Sequence, residues 1–267
     1  MDWINDCHVH LYGKENPKEL LKGMDKNKVE KCIVFAPIVL DDDPKKVMEA
    51  DDFVAKIQKA APKRFFGFVR LSPTMPGACE EIERGITKLK LRGVKMLPKR
   101  WYPHEEDARR SYEVVNRLKV PMLFHSGILY MPGALSTYCR PAYYEALHEY
   151  PNIKFALAHI GWPWTDECIA VTCRFWHGDF HSRQCIIDTT SGAPRLWKIE
   201  ALQKALSVLP REAIMYGSDN SPWLPDYRKN SVDNDISIFT DLGTSKEIQK
   251  AIFYDNFDKF FILPKKN

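Results

Sequence analysis

The chain has no run of ~20 apolar residues, so it offers no candidate membrane span. It has no C-x-x-C pair either. Its seven cysteines lie scattered, without the even framework of a disulfide-stapled secreted domain. That points to a reducing compartment, with Cys32, Cys79 and Cys185 as small buried apolar residues. The first six residues, from Met1 to Asp6, show neither a basic n-region nor an apolar h-region, and a cytoplasmic location is the expectation. Glycine is sparse, 13 in 267 residues, and never falls into G-x-G-x-x-G or G-x-x-x-x-G-K-[ST]. The phosphate loops of dinucleotide and nucleotide enzymes are therefore missing. G-x-S-x-G is absent as well, which leaves an elbow-type serine hydrolase without its nucleophile. The net charge is only +4, and the lysines are dispersed apart from Lys265-Lys266, so no basic stripe invites nucleic acid.

What remains is an ordinary apolar share of 45%, enough for a sizeable core. Short apolar runs alternate with longer amphipathic segments from end to end. Strands are predicted at Ile4–His8, Lys31–Ala36, Phe65–Leu71, Gly93–Leu97, Pro121–His125, Ile153–His159, Gln184–Asp188 and Ala213–Ser218. None shows clear polar alternation, as expected of parallel strands buried on both faces. Prolines open the helical patterns Lys18–Lys26, Lys45–Ala60, Ala78–Lys90 and Ala142–Glu149, each suiting a first helical turn. Further helices are predicted at Glu105–Leu118, Asp166–Phe175, Ile199–Leu209, Ser231–Leu242 and Lys246–Phe253. Eight strand–helix units at this length predict an α/β fold, a (β/α)8 TIM barrel. No linker interrupts them, so residues 1–267 are read as a single domain.

Such barrels carry their chemistry at the C-terminal ends of the strands. Strand 1 ends in Asp6-Cys7-His8-Val9-His10, whose alternate histidines share a face; Cys7 should point the opposite way, which argues against a nucleophile. An H-x-H pair by chance is expected about 0.24 times in this composition, so it needs company. Company is present. Arg70 ends strand 3, Lys95 lies in strand 4, His125 ends strand 5, His159 ends strand 6, and Asp219 follows strand 8. The other histidines, His104, His148, His177 and His181, read as surface residues. A lone histidine or aspartate after a strand is more often a rim residue or a cap. A closed barrel, however, forces all these ends toward one mouth. Three imidazole nitrogens and a carboxylate there suit a divalent metal, Zn²⁺ first, with Mn²⁺ and Fe²⁺ accepting the same atoms. Lys99 and Arg100 past strand 4, Arg140 past strand 5, and Arg70 offer cations for a substrate carboxylate, although loop charges are commonly just solvated. Trp101, Tyr102, Trp162 and Trp164 could wall an apolar substrate or pack over helices.

In order and content, Asp6-Cys7-His8-Val9-His10, Gly93-Val94-Lys95-Met96-Leu97-Pro98, His125-Ser126-Gly127, Ala158-His159-Ile160-Gly161-Trp162-Pro163-Trp164 and Gly217-Ser218-Asp219 resemble the amidohydrolase superfamily. The chain is most similar to its amidohydrolase-related branch, which includes the aminocarboxymuconate-semialdehyde decarboxylase-like enzymes. The resemblance implies one divalent metal held by His8, His10, His125 and Asp219, with His159 beside the water or the reacting substrate. Asp219 then doubles as the proton carrier. In binuclear relatives a strand-4 lysine is carbamylated and bridges two ions, a role Lys95 could fill with His159 on the second ion. The implied activity is metal-dependent hydrolysis of a small amide, lactone or ester. The alternative is non-oxidative decarboxylation, or hydration, of an unsaturated or aromatic acid, and a non-catalytic metal-binding barrel is a minor third reading. Arg70, Arg140 and Trp162 are the substrate-binding candidates, for a small molecule that could bear a carboxylate. Nucleic acid and membrane are not expected partners; a homodimer is a base-rate expectation.

Overall fold

Apolar runs without polar alternation must be covered on both faces, and here helices cover one face while the strands cover each other on the second. The computed structural model describes residues 1–177, 182–190 and 192–262; His181, Lys265 and Lys266 lie outside them. Its strands are β1 (Ile4–His10), β2 (Val29–Phe35), β3 (Phe65–Arg70), β4 (Gly93–Met96), β5 (Met122–Phe124), β6 (Phe155–Leu157), β7 (Cys185–Asp188) and β8 (Ile214–Met215). Each pairs in parallel with the next, in the order β1 to β8. The backbone N–H of Cys7 donates to Tyr216 O at 3.1 Å and that of Asp219 to His8 O at 3.0 Å, which draws the last strand against the first. The result is a nearly closed (β/α)8 TIM barrel. Among the described residues no helix is long and apolar enough to cross a membrane.

Between the strands run α1 (Pro17–Lys26), α2 (Pro44–Ala60), α3 (Ala78–Thr87), α4 (Glu106–Leu118), α5 (Thr165–Trp176), α6 (Arg195–Val208), α7 (Asn234–Asp241), α8 (Lys246–Lys250) and α9 (Asn256–Phe260). Asn16 and Asp43 cap the first two through side-chain oxygens, just ahead of their N1 prolines. Such caps contribute about 1 kcal/mol each. Inside the barrel Phe35, Phe68, Leu123, Ile186 and Met215 form the lower core, which Phe257 and Phe260 of α9 plug from below.

Several expectations shift: the sixth strand shortens to Phe155–Leu157, the helix expected over Ser231–Leu242 starts as a π turn at Arg228–Asp233, and four further differences follow. The helix predicted over Ala142–Glu149 winds as a 3₁₀ helix, Pro141–Glu149, pinned where Tyr144 Oη donates to His125 O at 2.5 Å. The last strand is two residues long rather than six, because Tyr216 N–H turns away to donate to Ile252 O at 2.9 Å. The final helix opens into a π turn at Ala251–Asp255, where the carbonyls of Ile252 and Tyr254 are drawn to Tyr216 and Asn5 of the barrel. Finally, Cys7 does not point away from the interior. The β1–β2 register slips by one residue between Asp6 and Val9, a bulge that turns Cys7 into the interior cluster while His8 still faces the mouth. There the thiol is buried and its pKa is pushed well above the usual value by desolvation, which keeps it inert.

Candidate metal centre

The bulge sets His8 between two strands. Its Nδ1 lies 2.8 Å from Asp188 Oδ2 at the end of β7. An ionised carboxylate only accepts, so Nδ1 carries the proton and Nε2 faces the mouth with its lone pair exposed. That Nε2 stands 3.5 Å from Lys95 Nζ and 3.7 Å from Asp219 Oδ1. His10 Nε2 is 3.4 Å from the same Asp219 oxygen, while His10 Nδ1 is buried without a partner. Desolvation, reinforced by nearby Lys95 and Arg70, pushes both imidazoles well below their ordinary pKa and keeps them neutral. Lys95 is itself buried, 4.8 Å over the Phe35 ring, and burial lowers its amine to about 7.

The other pair of histidines is locked by hydrogen bonds. Thr190 Oγ1 donates to Asp188 Oδ1, so it must accept from His159, whose backbone N and ring Nδ1 lie 2.9 and 2.8 Å away. His159 Nε2 is then an acceptor. His125 Nε2 lies 3.0 Å from Ile128 O, which can only accept, so His125 Nδ1 is an acceptor too. These two acceptor nitrogens face each other at 3.2 Å. Two lone pairs at that distance repel unless a cation lies between or beside them. Burial holds His125 well below its ordinary pKa, so a proton on that ring is disfavoured. A divalent metal beside the pair would relieve the repulsion.

Among the described residues, one set of donors from His8, His159 and Asp219 falls within 4.8 Å of one another. His10 and His125 flank it through Asp219 and His159. The structure thus gathers all five strand-end groups at one mouth, with His159 nearer the centre of the donor set than His10 and His125. Both His159 (φ 60°) and Asp219 (φ 54°) adopt the left-handed backbone that non-glycine residues rarely take. Their neighbours hold them there: Asp188 Oδ1 accepts from His159 N at 2.9 Å, and His8 O accepts from Asp219 N at 3.0 Å.

Beneath Asp219 sits a carboxylate that joins the barrel's first and last strands. Asp6 Oδ1 accepts from the backbone of His8 and of Ser218, each at 3.0 Å. Asp6 Oδ2 accepts from Ser218 Oγ at 2.5 Å and Tyr227 Oη at 2.7 Å. Even so, burial outweighs the four donors and raises its pKa to about 6. Neither Asp6 nor Asp188 was singled out among the sequence candidates, nor were Thr190 and Ser218. Asp188 ends the predicted seventh strand, so the strand-end rule that found the histidines could have found it.

Above the donors opens a cavity of about 610 Å³, lined by Arg70, Lys95, Trp162 and a rim that includes Tyr12, Ile38 and Tyr130. Arg140 is not on this wall. Its guanidinium pairs with Glu167 at 2.5 Å and lies 5.5 Å over Trp164. Lys99 pairs with Asp42 at 3.1 Å, Arg100 is exposed away from the lining, and Trp101 is buried in the core. Tyr102 packs against Tyr138 and Tyr143 instead.

The Amidohydrolase family profile matches residues 6–262. The chain belongs to the amidohydrolase family. A divalent metal site is expected in this family, and the neutral N-rich donor set above fits one. No curated protein matches the chain. Among solved structures, this amidohydrolase is similar to 2,6-dihydroxybenzoate decarboxylase from Rhizobium, at 17% identity and a TM-score of 0.67, over 98% of this chain and 99% of that one. It is similar also to 5-carboxyvanillate decarboxylase from Novosphingobium aromaticivorans, solved as a D314N mutant with bound manganese, at 15% identity and a TM-score of 0.66, over 97% of each chain. A third is a probable 2-pyrone-4,6-dicarboxylic acid hydrolase from Acinetobacter baumannii with citric acid bound, at 14% identity and a TM-score of 0.63, over 98% of this chain and 99% of that one. At these identities the likeness speaks to the fold.

Proposed function

We propose that this amidohydrolase is a metal-dependent hydrolase of a small amide, lactone or ester. The observation that carries the reading is the cluster of donor atoms from His8, His159 and Asp219, all within 4.8 Å of one another at an open mouth and flanked by His10 and His125. His8, His10, His125 and Asp219 would hold one ion, with His159 beside it. Zinc suits these donors, and Mn²⁺ or Fe²⁺ accept them too. Such an ion supplies a Lewis acid that polarises a carbonyl and brings the pKa of water toward ~7. The remaining work falls to the chain. Asp188 and Thr190 fix the tautomers of His8 and His159, so that each presents Nε2. The Asp219 side chain, 32% exposed, stands between the donors and solvent, where its carboxylate can take a proton from water and return it to the leaving group. His159 orients the nucleophile or steadies the developing oxyanion.

A second reading, decarboxylation of an aromatic or unsaturated acid, is favoured by Arg70, a buried guanidinium that opens onto the cavity with Nη1 unpartnered. Two of the proteins reported above are named decarboxylases. The proposal is tested by plasma mass spectrometry of purified protein beside a His8→Ala/His10→Ala double variant, followed by lactones, amides and hydroxybenzoates scored for acid and for CO2 release. One equivalent of metal, lost in the variant, with acid release supports hydrolysis. CO2 release transfers the site to the second reading, two equivalents promote Lys95 to a bridging ligand, and no metal after reconstitution overturns both.

A further inference from the structure

The cavity carries more information about its ligand than the reaction class does. Its charge is concentrated at the bottom, beside the donor set, where Arg70 is 8% exposed and its Nη1 meets no acceptor. Among the described residues no hydrogen-bonded carboxylate pairs with this guanidinium, and its side chain lines the cavity, so an anion brought by the ligand can pair with it there. The outer wall is different in kind. Tyr12, Pro37, Ile38, Tyr130 and Met131 continue the cavity outward, and Tyr130 and Tyr12 stand 75% and 69% exposed at its edge. No further cation joins them among the described residues. Lys99 is neutralised by Asp42, and Arg140 by Glu167.

Size points the same way. A benzoate displaces about five waters of ~30 Å³ each, so it fills about a quarter of this space. The rest of the cavity, which includes its apolar outer wall, would stay wet.

We infer that the site selects an acid whose carboxylate pairs with Arg70 and whose body extends as an apolar group across Tyr12, Ile38 and Tyr130, and that a second carboxylate on that body adds nothing to binding. A second carboxylate further out meets no cation among the described residues of the outer wall, only the exposed phenols of Tyr12 and Tyr130, so it gains no ion pair there. The inference rests on the reading of this cavity as the substrate site but not on the metal or on which bond is broken.

The experiment is calorimetric titration with four probes: benzoate, biphenyl-4-carboxylate, terephthalate and the neutral biphenyl-4-carboxamide. Each is titrated into metal-loaded and chelator-stripped protein. Biphenyl-4-carboxylate should bind at least tenfold tighter than benzoate, because the second ring buries several apolar carbons. Terephthalate should bind no tighter than benzoate. Arg70→Met should weaken biphenyl-4-carboxylate at least 30-fold and leave the carboxamide within threefold, which separates lost charge from lost fold. Tyr130→Ala, a change at an exposed rim residue, should shrink the biphenyl-over-benzoate preference while sparing benzoate. Terephthalate binding tighter than benzoate, biphenyl-4-carboxylate binding no tighter than benzoate, an Arg70→Met variant that binds the acids normally, or no carboxylate binding up to solubility overturns the inference. A protein that takes up no metal yet keeps this ranking refutes the metal-dependent function and leaves the inference standing.

Discussion

On the β7–β8–β1 side of the mouth, Asp188 and Asp6 each collect several donors, and the histidine and loop they touch have no freedom left. On the β3–β5–β6 side, Arg70, Ser126 and Trp162 bury polar atoms with no partner at all. His10 lies on the border, with Nε2 directed to Asp219 and Nδ1 unmatched. Proteins satisfy nearly all buried polar groups, so the contrast is informative. The satisfied wall is finished by folding and presents a fixed donor set. The unsatisfied wall is finished by what binds.

The largest way to break this contrast is Asp6→Ala, which strips four donors of their acceptor and should cost about 3–5 kcal/mol in urea unfolding. The loss should depend on pH in a defined direction. Burial raises the Asp6 carboxyl from 3.8 to about 6, so the folded state prefers the protonated form. Its contribution is fullest below pH 3.8 and declines as pH rises through about 6, by about 3 kcal/mol for the ~2-unit gap. The gap between wild type and variant should therefore be wider at pH 4.5 than at pH 7.5. A gap that widens with rising pH would mean the four donors outweigh burial.

Next in size is Asp188→Asn, which places an amide N–H or a weaker acceptor against His8 Nδ1 and loosens the Thr190–His159 link. Metal affinity, read by competition with a chromophoric chelator, should fall about 10–100-fold with the fold intact. An unchanged affinity would show that the tautomers are not set from β7.

On the other wall the sign reverses. Arg70→Met removes an unpaired buried charge and should raise unliganded stability by about 1 kcal/mol, seen as a higher Tm. A fall in Tm would reveal that Asp219, Asp42 and Asp51, the carboxylates that oppose the burial cost of Arg70, already compensate it. Smallest is Trp162→Phe, which removes an N–H without a partner and should leave stability within about 1 kcal/mol while changing KM.

The sequence disclosed the mouth only in part. His8, His10, His125, His159 and Asp219 were legible because a barrel delivers strand ends to one place, and residue type then does the rest. Their supports were not. Asp188 and Asp6 look like ordinary strand-end caps until one sees that their acceptors reach donors 29 and 212 positions away. Long-range pairing also explains Arg140, a free cation by sequence that Glu167 captures. The bulge at Cys7 was hidden for a different reason: strict alternation is the default, and nothing local to Asp6-Cys7-His8 announces the slipped register. Strand ends blurred where the backbone leaves the ladder to build the site, as at His159 and Tyr216.

The Asp6–Ser218 clasp has a consequence in time as well as in space. The imidazoles of β1 are made long before Asp219, whose neighbour Ser218 lies 212 positions after Asp6. During synthesis the early histidines wait beside an unfinished sheet edge, and no local helix or hairpin can bring their carboxylate partner forward. Pairings of such long sequence separation form late in folding. Ion uptake by a refolding or ribosome-released chain should accordingly lag behind its helix signal, and serve as a report that the ring of strands has closed.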